Sequence, residues 1–124
     1  MEKLVFVYNA DSGLFNLGKD ILHKVISPST YPCKLCDLTF GVAGEKKSWA
    51  QFRAQLPVQQ EYLHKDEFHK KYGKHSDPLP IIYWWRDGEL KVFISDDEMN
   101  QCKHLSELER IIVDKLDVFS EGEA

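Results

Sequence analysis

The sequence predicts an α/β domain with a central mixed sheet of about four strands and helices on both of its faces. Three observations predict it. Leu4-Val5-Phe6-Val7-Tyr8 is a β-rich, nearly continuous apolar run, as expected of a strand buried on both faces. Leu79 to Trp85 and Leu90 to Ile94 flank Arg86-Asp87-Gly88-Glu89, a hairpin signal. Apolar residues at helical spacing then separate or follow these strands.

Taken in order, Leu4 to Tyr8 forms the first strand, and Asn9 to Gly13 is a turn with Asp11 and Ser12 as candidate helix caps. Leu14, Leu17, Ile21 and Val25 predict a first helix to about Ile26. Ser27 to Pro32 ends it, because each proline restricts the residue before it. The run Cys33-Lys34-Leu35-Cys36 follows, then a loop with Gly41 and Gly44. Trp49, Phe52 and Leu56 line one side of a second helix that Pro57 closes. Val58 to Leu63 is a second strand, with glutamines that fit a strand poorly. Asp66 to Tyr72 is a short helix ended by Gly73. After the hairpin, Ser106-Glu107-Leu108-Glu109 reads as the capping box of a last helix with Leu105, Leu108, Ile112 and Leu116 as its core face. Residues 119–124 are expected to fray.

At 124 residues the chain fits one domain, 1–118 with a short tail, and its core is large enough to need neither metal nor disulfide for stability. A hydrophobic content of 43% excludes a disordered chain, and a net charge of -4 gives no general pull toward nucleic acid or membrane phosphates. No run approaches the ~20 apolar residues of a membrane span. The short apolar start is unlike a signal peptide, so the expected compartment is the cytoplasm and three cysteines are not expected to form a disulfide framework.

Pro80 opening a strand, a hairpin carrying Asp87-Gly88 and a closing amphipathic helix resemble the second half of the thioredoxin fold. The resemblance is best from Val58 to Leu116 and looser over the first strand and helix. It implies a thioredoxin-like three-layer domain in which Pro80 is cis and lies against the active site, and it makes 27–56, with the CxxC, an insertion. The whole chain also resembles a small group of bacterial proteins without an established activity. They share Tyr8-Asn9-Ala10-Asp11-Ser12-Gly13, His23-Lys24, Ser27-Pro28-Ser29-Thr30-Tyr31, the Cys33/Cys36 pair and His64-Lys65-Asp66-Glu67-Phe68.

The pointed chemistry lies at Cys33 and Cys36. Two thiols at this spacing at a helix start can close a disulfide ring, and the helix amides favour a thiolate. Thr30 as cap, Pro32 in the first turn and Lys34 nearby would make Cys33 the attacking thiolate and Cys36 the resolving thiol. The pair departs from the thioredoxin pattern because it stands beyond the first helix, whereas the turn after the first strand holds no cysteine. The expectation is thiol–disulfide exchange or thiol sensing at Cys33 and Cys36, shaped by Pro80, without cofactor and with a protein thiol or disulfide as partner. The alternative is a non-enzymatic binding domain whose CxxC is structural, idle or zinc-bound. Zinc would need His64 and His69, spaced H-x4-H, or Cys102 and His104 as further ligands. Each histidine taken singly reads as a surface residue.

Three other features carry less. Gly13 to Asp20 reads G-x4-G-K-D, and Asp20 stands where a P-loop needs a hydroxyl, which argues against nucleotide hydrolysis. The turn Asp11-Ser12-Gly13 offers helix amides to an anion, although capping explains it better. The basic stretch from His64 to His75 is diluted by Asp66 and Glu67, so a solvated helix is expected rather than a nucleic-acid surface. Trp84 and Trp85 are adjacent on a strand and must point to opposite faces.

Overall fold

The computed structural model describes residues 2–9, 33–41 and 44–120. Within them the chain runs β1 (Glu2–Tyr8), α1 (Lys34–Thr39), β2 (Phe40–Gly41), β3 (Gly44–Glu45), α2 (Lys47–Ala54), β4 (Gln59–His64), α3 (Lys65–Tyr72), β5 (Ile81–Arg86), β6 (Glu89–Ile94), α4 (Asp96–Asn100) and α5 (Leu105–Val118). The expected first helix, Leu14 to Ile26, lies outside the described residues.

The described residues form an α/β fold on a four-stranded mixed sheet of order β4-β1-β5-β6. β1 runs parallel to β4, with Phe6 beside Tyr62 and Tyr8 beside His64. It runs antiparallel to β5, with Val7 beside Ile81, and β5 and β6 form the hairpin. At the hairpin turn Asp87 and Gly88 both take positive φ, 50° and 89°, the twist that matches flanking strands. β1 is central, which explains its unbroken apolar run: Leu4 to Tyr8 are all buried.

Alternation along the strands sorts the core into two clusters. Leu4, Phe6, Tyr8, Ile82 and Trp84 pack with α1, Trp49 of α2, Met99 of α4 and Leu108, Ile112 and Leu116 of α5. Val5, Val7, Ile81 and Tyr83 pack with Phe68 of α3. Trp84 belongs to the first cluster and Trp85 lies against the second, under the Lys3 ammonium at 5.1 Å. In β6 one extra residue interrupts the pairing, since Tyr83 faces Val92 but Ile82 faces Ile94. Phe93 and Ile94, though consecutive, therefore both enter the first cluster.

Four local expectations need correcting. α1 is capped by Cys33 itself rather than by Thr30, which lies outside the described residues. α2 ends at Ala54, before Pro57, and Leu56 reaches the core from beyond the helix. The Gln60 side chain supplies part of that ending: its amide donates to the Arg53 carbonyl at 2.9 Å. A glutamine that fits a strand poorly thus serves a helix end that lacks acceptor partners. α4 is absent from the sequence reading, although Ser95 and Glu98 form its capping box. The last helix starts at Leu105 with His104 as its cap, so Ser106 sits inside the first turn. There the Glu107 carboxylate accepts from the amides of Lys103 and His104, at 2.6 and 2.9 Å.

Candidate functional site

Cys33 and Cys36 form a disulfide at the start of α1, with Cα atoms 5.2 Å apart, inside the range such a bond requires. The Cys33 sulfur does more than close this ring. It accepts the Cys36 amide at 3.2 Å, which makes it the helix cap, and the Asn9 amide at 3.4 Å. Asn9 is the first residue after β1, so the disulfide stands at the C-terminal end of the central strand. The sequence separates Cys33 from that strand by 24 positions, and the fold brings them together.

Both cysteines are buried, 1% and 2% exposed, and belong to the larger core cluster with Leu35 and Leu38. Pro80 is also buried. It follows Leu79 through a cis peptide bond and immediately precedes β5. Because Val7 pairs with Ile81, one further step of the register sets Pro80 level with Tyr8, on the strand next to the one that leads to the disulfide.

The proposed zinc ligands are not assembled. Among the described residues, which include Cys33, Cys36, His64, His69, Cys102 and His104, no three His, Cys, Asp or Glu side chains gather as a metal ion would need. Cys33 and Cys36 are bonded to each other. His64 caps α3, its Nδ1 2.8 Å from the Glu67 carboxylate. Cys102 is buried and donates to the Glu98 carbonyl at 3.5 Å. Burial first, then Glu107, push its thiol above the ordinary range, while Lys34 works against them, so it stays a neutral thiol. His69 is half-buried on α3 and His104 is exposed at the start of α5. Asp11, Ser12 and Gly13, the anion-binding turn, lie outside the described residues.

One group of residues escapes sequence reasoning. A cleft of about 320 Å³ is lined by Tyr8, Phe40, Glu45, Arg53, Tyr62 and His64. The only trace of it in the sequence is the alternation Gln60-x-Tyr62-x-His64, which puts these three side chains on one face of β4. Phe40, Glu45 and Arg53 come from three separate elements, and only folding joins them.

The fold and site together define a small α/β domain with a buried CxxC disulfide at the end of its central strand. Comparison with protein-family models, with curated proteins and with solved structures gave no match to this chain. Among the described residues no helix is long and apolar enough to cross a membrane.

Proposed function

We propose that this is a thioredoxin-like domain whose Cys33–Cys36 pair cycles between dithiol and disulfide in exchange with a protein partner. One observation carries the proposal: the Cys33 sulfur already receives two backbone amides, from Asn9 and Cys36. On reduction a thiolate at Cys33 would keep both donors, and hydrogen bonding to the charged form lowers a pKa. The sheet order β4-β1-β5-β6, the parallel β1/β4 pair and the position of Pro80 before β5 support the three-layer thioredoxin reading, as does the placing, among the described residues, of α3 on one face and α1, α2, α4 and α5 on the other.

In the exchange, the Cys33 thiolate attacks one sulfur of a partner disulfide and the partner's other sulfur leaves as thiolate. Cys36, losing its proton to solvent, then attacks the Cys33 sulfur of the mixed disulfide. The partner departs with two thiols and the chain holds the Cys33–Cys36 bond, so two electrons pass to the partner.

A second reading has its own observation. Both sulfurs are almost fully buried in the larger core cluster, which favours a structural disulfide in a non-catalytic binding domain. Equilibration with glutathione buffers separates the two. A potential between about -180 and -270 mV, with a Cys33 pKa below the free value of ~8.5, is expected for exchange. A potential below about -300 mV assigns the pair a structural role.

A further inference from the structure

The cleft at the C-terminal ends of the parallel strands β1 and β4 has the chemistry of a small-molecule site. Ligands of open α/β sheets characteristically sit at such strand ends. Its floor is a column of rings on one sheet face. Tyr8 lies 6.5 Å from Tyr62, nearly parallel to it, and 5.7 Å from the His64 ring. Phe40 meets Tyr8 edge-on at 6.2 Å. The opposite wall is the Arg53 guanidinium, 5.2 Å from the centre of the Tyr62 ring and held by Glu45 through two hydrogen bonds at 2.6 and 3.1 Å.

The polar groups of this cleft are spoken for, with one exception. Arg53 and Glu45 neutralise each other, His64 is bonded to Glu67, and the Tyr62 hydroxyl donates to Gln60 at 2.7 Å. Tyr8 is only 6% exposed, and its hydroxyl, which is not among the side-chain atoms sealed from solvent without a partner, forms no hydrogen bond among the described residues. An accessible hydroxyl without a protein partner is open to water or to a ligand's acceptor. Burial keeps this phenol protonated well above its ordinary range, with Tyr62 and Glu45 adding to the effect and Arg53 opposing it, so it is a donor.

We propose that the cleft binds an uncharged, planar aromatic compound carrying one hydrogen-bond acceptor. The ring lies among Tyr8, Phe40 and Tyr62, and the acceptor meets the Tyr8 hydroxyl. A charged ligand is disfavoured because the ion pair leaves no net charge to answer it and puts the Glu45 carboxylate beside any anion. The volume, about 320 Å³, is at the lower end of small-molecule sites (~300–1,000 Å³) and suits two fused rings with a small substituent. The proposal is independent of the thiol chemistry.

The test is calorimetric titration of the full-length, disulfide-bonded chain with 2-naphthamide, 2-naphthoate and 2-methylnaphthalene. The amide is expected to bind with a Kd of about 0.05–1 mM, as suits so small a ligand. The naphthoate, with the same rings and a negative charge, is expected to bind at least about tenfold more weakly. The methylnaphthalene, without an acceptor, is expected to be about fivefold weaker, and Tyr8→Phe, which keeps the ring, is expected to weaken the amide by the same factor. Perturbation of the Phe40 and Tyr62 ring resonances by the amide places it in the cleft independently of any variant. No saturable binding of the amide, equal binding of the naphthoate, or an unchanged amide Kd in folded Tyr8→Phe protein would overturn the proposal.

Discussion

The two faces of the sheet are covered by different physical means. Among the described residues one face is covered by α1, α2, α4 and α5 over a large apolar cluster that includes Trp49, Phe6, Phe93 and the disulfide. Among the same residues the other carries four buried strand residues, Val5, Val7, Ile81 and Tyr83, under Phe68 of α3. At its margin stands a charged group: the Glu61 carboxylate accepts from Lys3 at 2.8 Å, from Tyr72 at 2.7 Å and from Lys71. Lys3 also lies over the Trp85 ring. The contrast teaches that alternating residues of the same strands can build a large apolar cluster on one face and, on the other, a small one bordered by a charged group. Both candidate sites, the disulfide and the cleft, belong to the apolar face.

Truncating the apolar face is expected to have the largest effect. Trp49→Ala removes a fully buried ring and should cost about 3–5 kcal/mol in urea unfolding, with little dependence on salt. Trp49→Phe is a sharper probe. The indole N–H is buried without a partner, so its removal should offset part of the lost volume and leave a cost well below that of alanine. Reducing the disulfide is expected to rank next. The ring spans a sequence separation of only three, and loop-closure entropy assigns it about 2 kcal/mol, readable as a shift of the urea midpoint on adding reductant.

On the other face, Glu61→Gln should cost about 1–2 kcal/mol, less at high salt because Lys71 is half-exposed. Burial pushes the Glu61 carboxyl up, but the bonds from Lys3, Lys71 and Tyr72 outweigh it and hold its pKa at about 2. A carboxylate depressed in the folded state contributes its full stability above the ordinary value of 4.5 and loses it as pH falls from there toward 2. Unfolding measured between pH 6 and 2 should therefore show a larger loss in the wild type than in Glu61→Gln, which keeps only the losses of other depressed carboxylates such as Glu98. Tyr83→Phe should have the smallest effect, about 0.5–1 kcal/mol by the same measurement. The hydroxyl donates to Asp77 at 2.7 Å, and that exposed carboxylate can turn to water instead.

The four strands of the main sheet and α3 are legible in the sequence because local signals coincide with burial: the run Leu4 to Tyr8, the Asp87-Gly88 turn and the Gly73 stop each act where they stand, whereas the short pair β2 and β3 falls where the sequence predicts a loop. Helix ends are less so. Ser106 has the residue type of a cap, but Glu107 serves the amides of Lys103 and His104, and the helix begins one residue before Ser106. The CxxC is legible as chemistry but not as place, because no local rule states that the Asn9 amide meets a sulfur 24 residues on. The cleft is the least legible. Its polar wall depends on Glu45 and Arg53, eight residues apart on a strand and a helix, with no spacing that marks them as partners.

The extra residue in β6 has a mechanical meaning for the hairpin. At one end the Asp87-Gly88 turn sets where the two strands reverse, and at the other the bulge admits Phe93 and Ile94 to the same interior. Sliding β6 by one position would bring Val92 inward and turn Phe93 out to water. The two devices act like a pair of dowels in a joint. The hairpin seats in one alignment only, and β5, whose first residue follows Pro80, inherits that alignment where it meets β1.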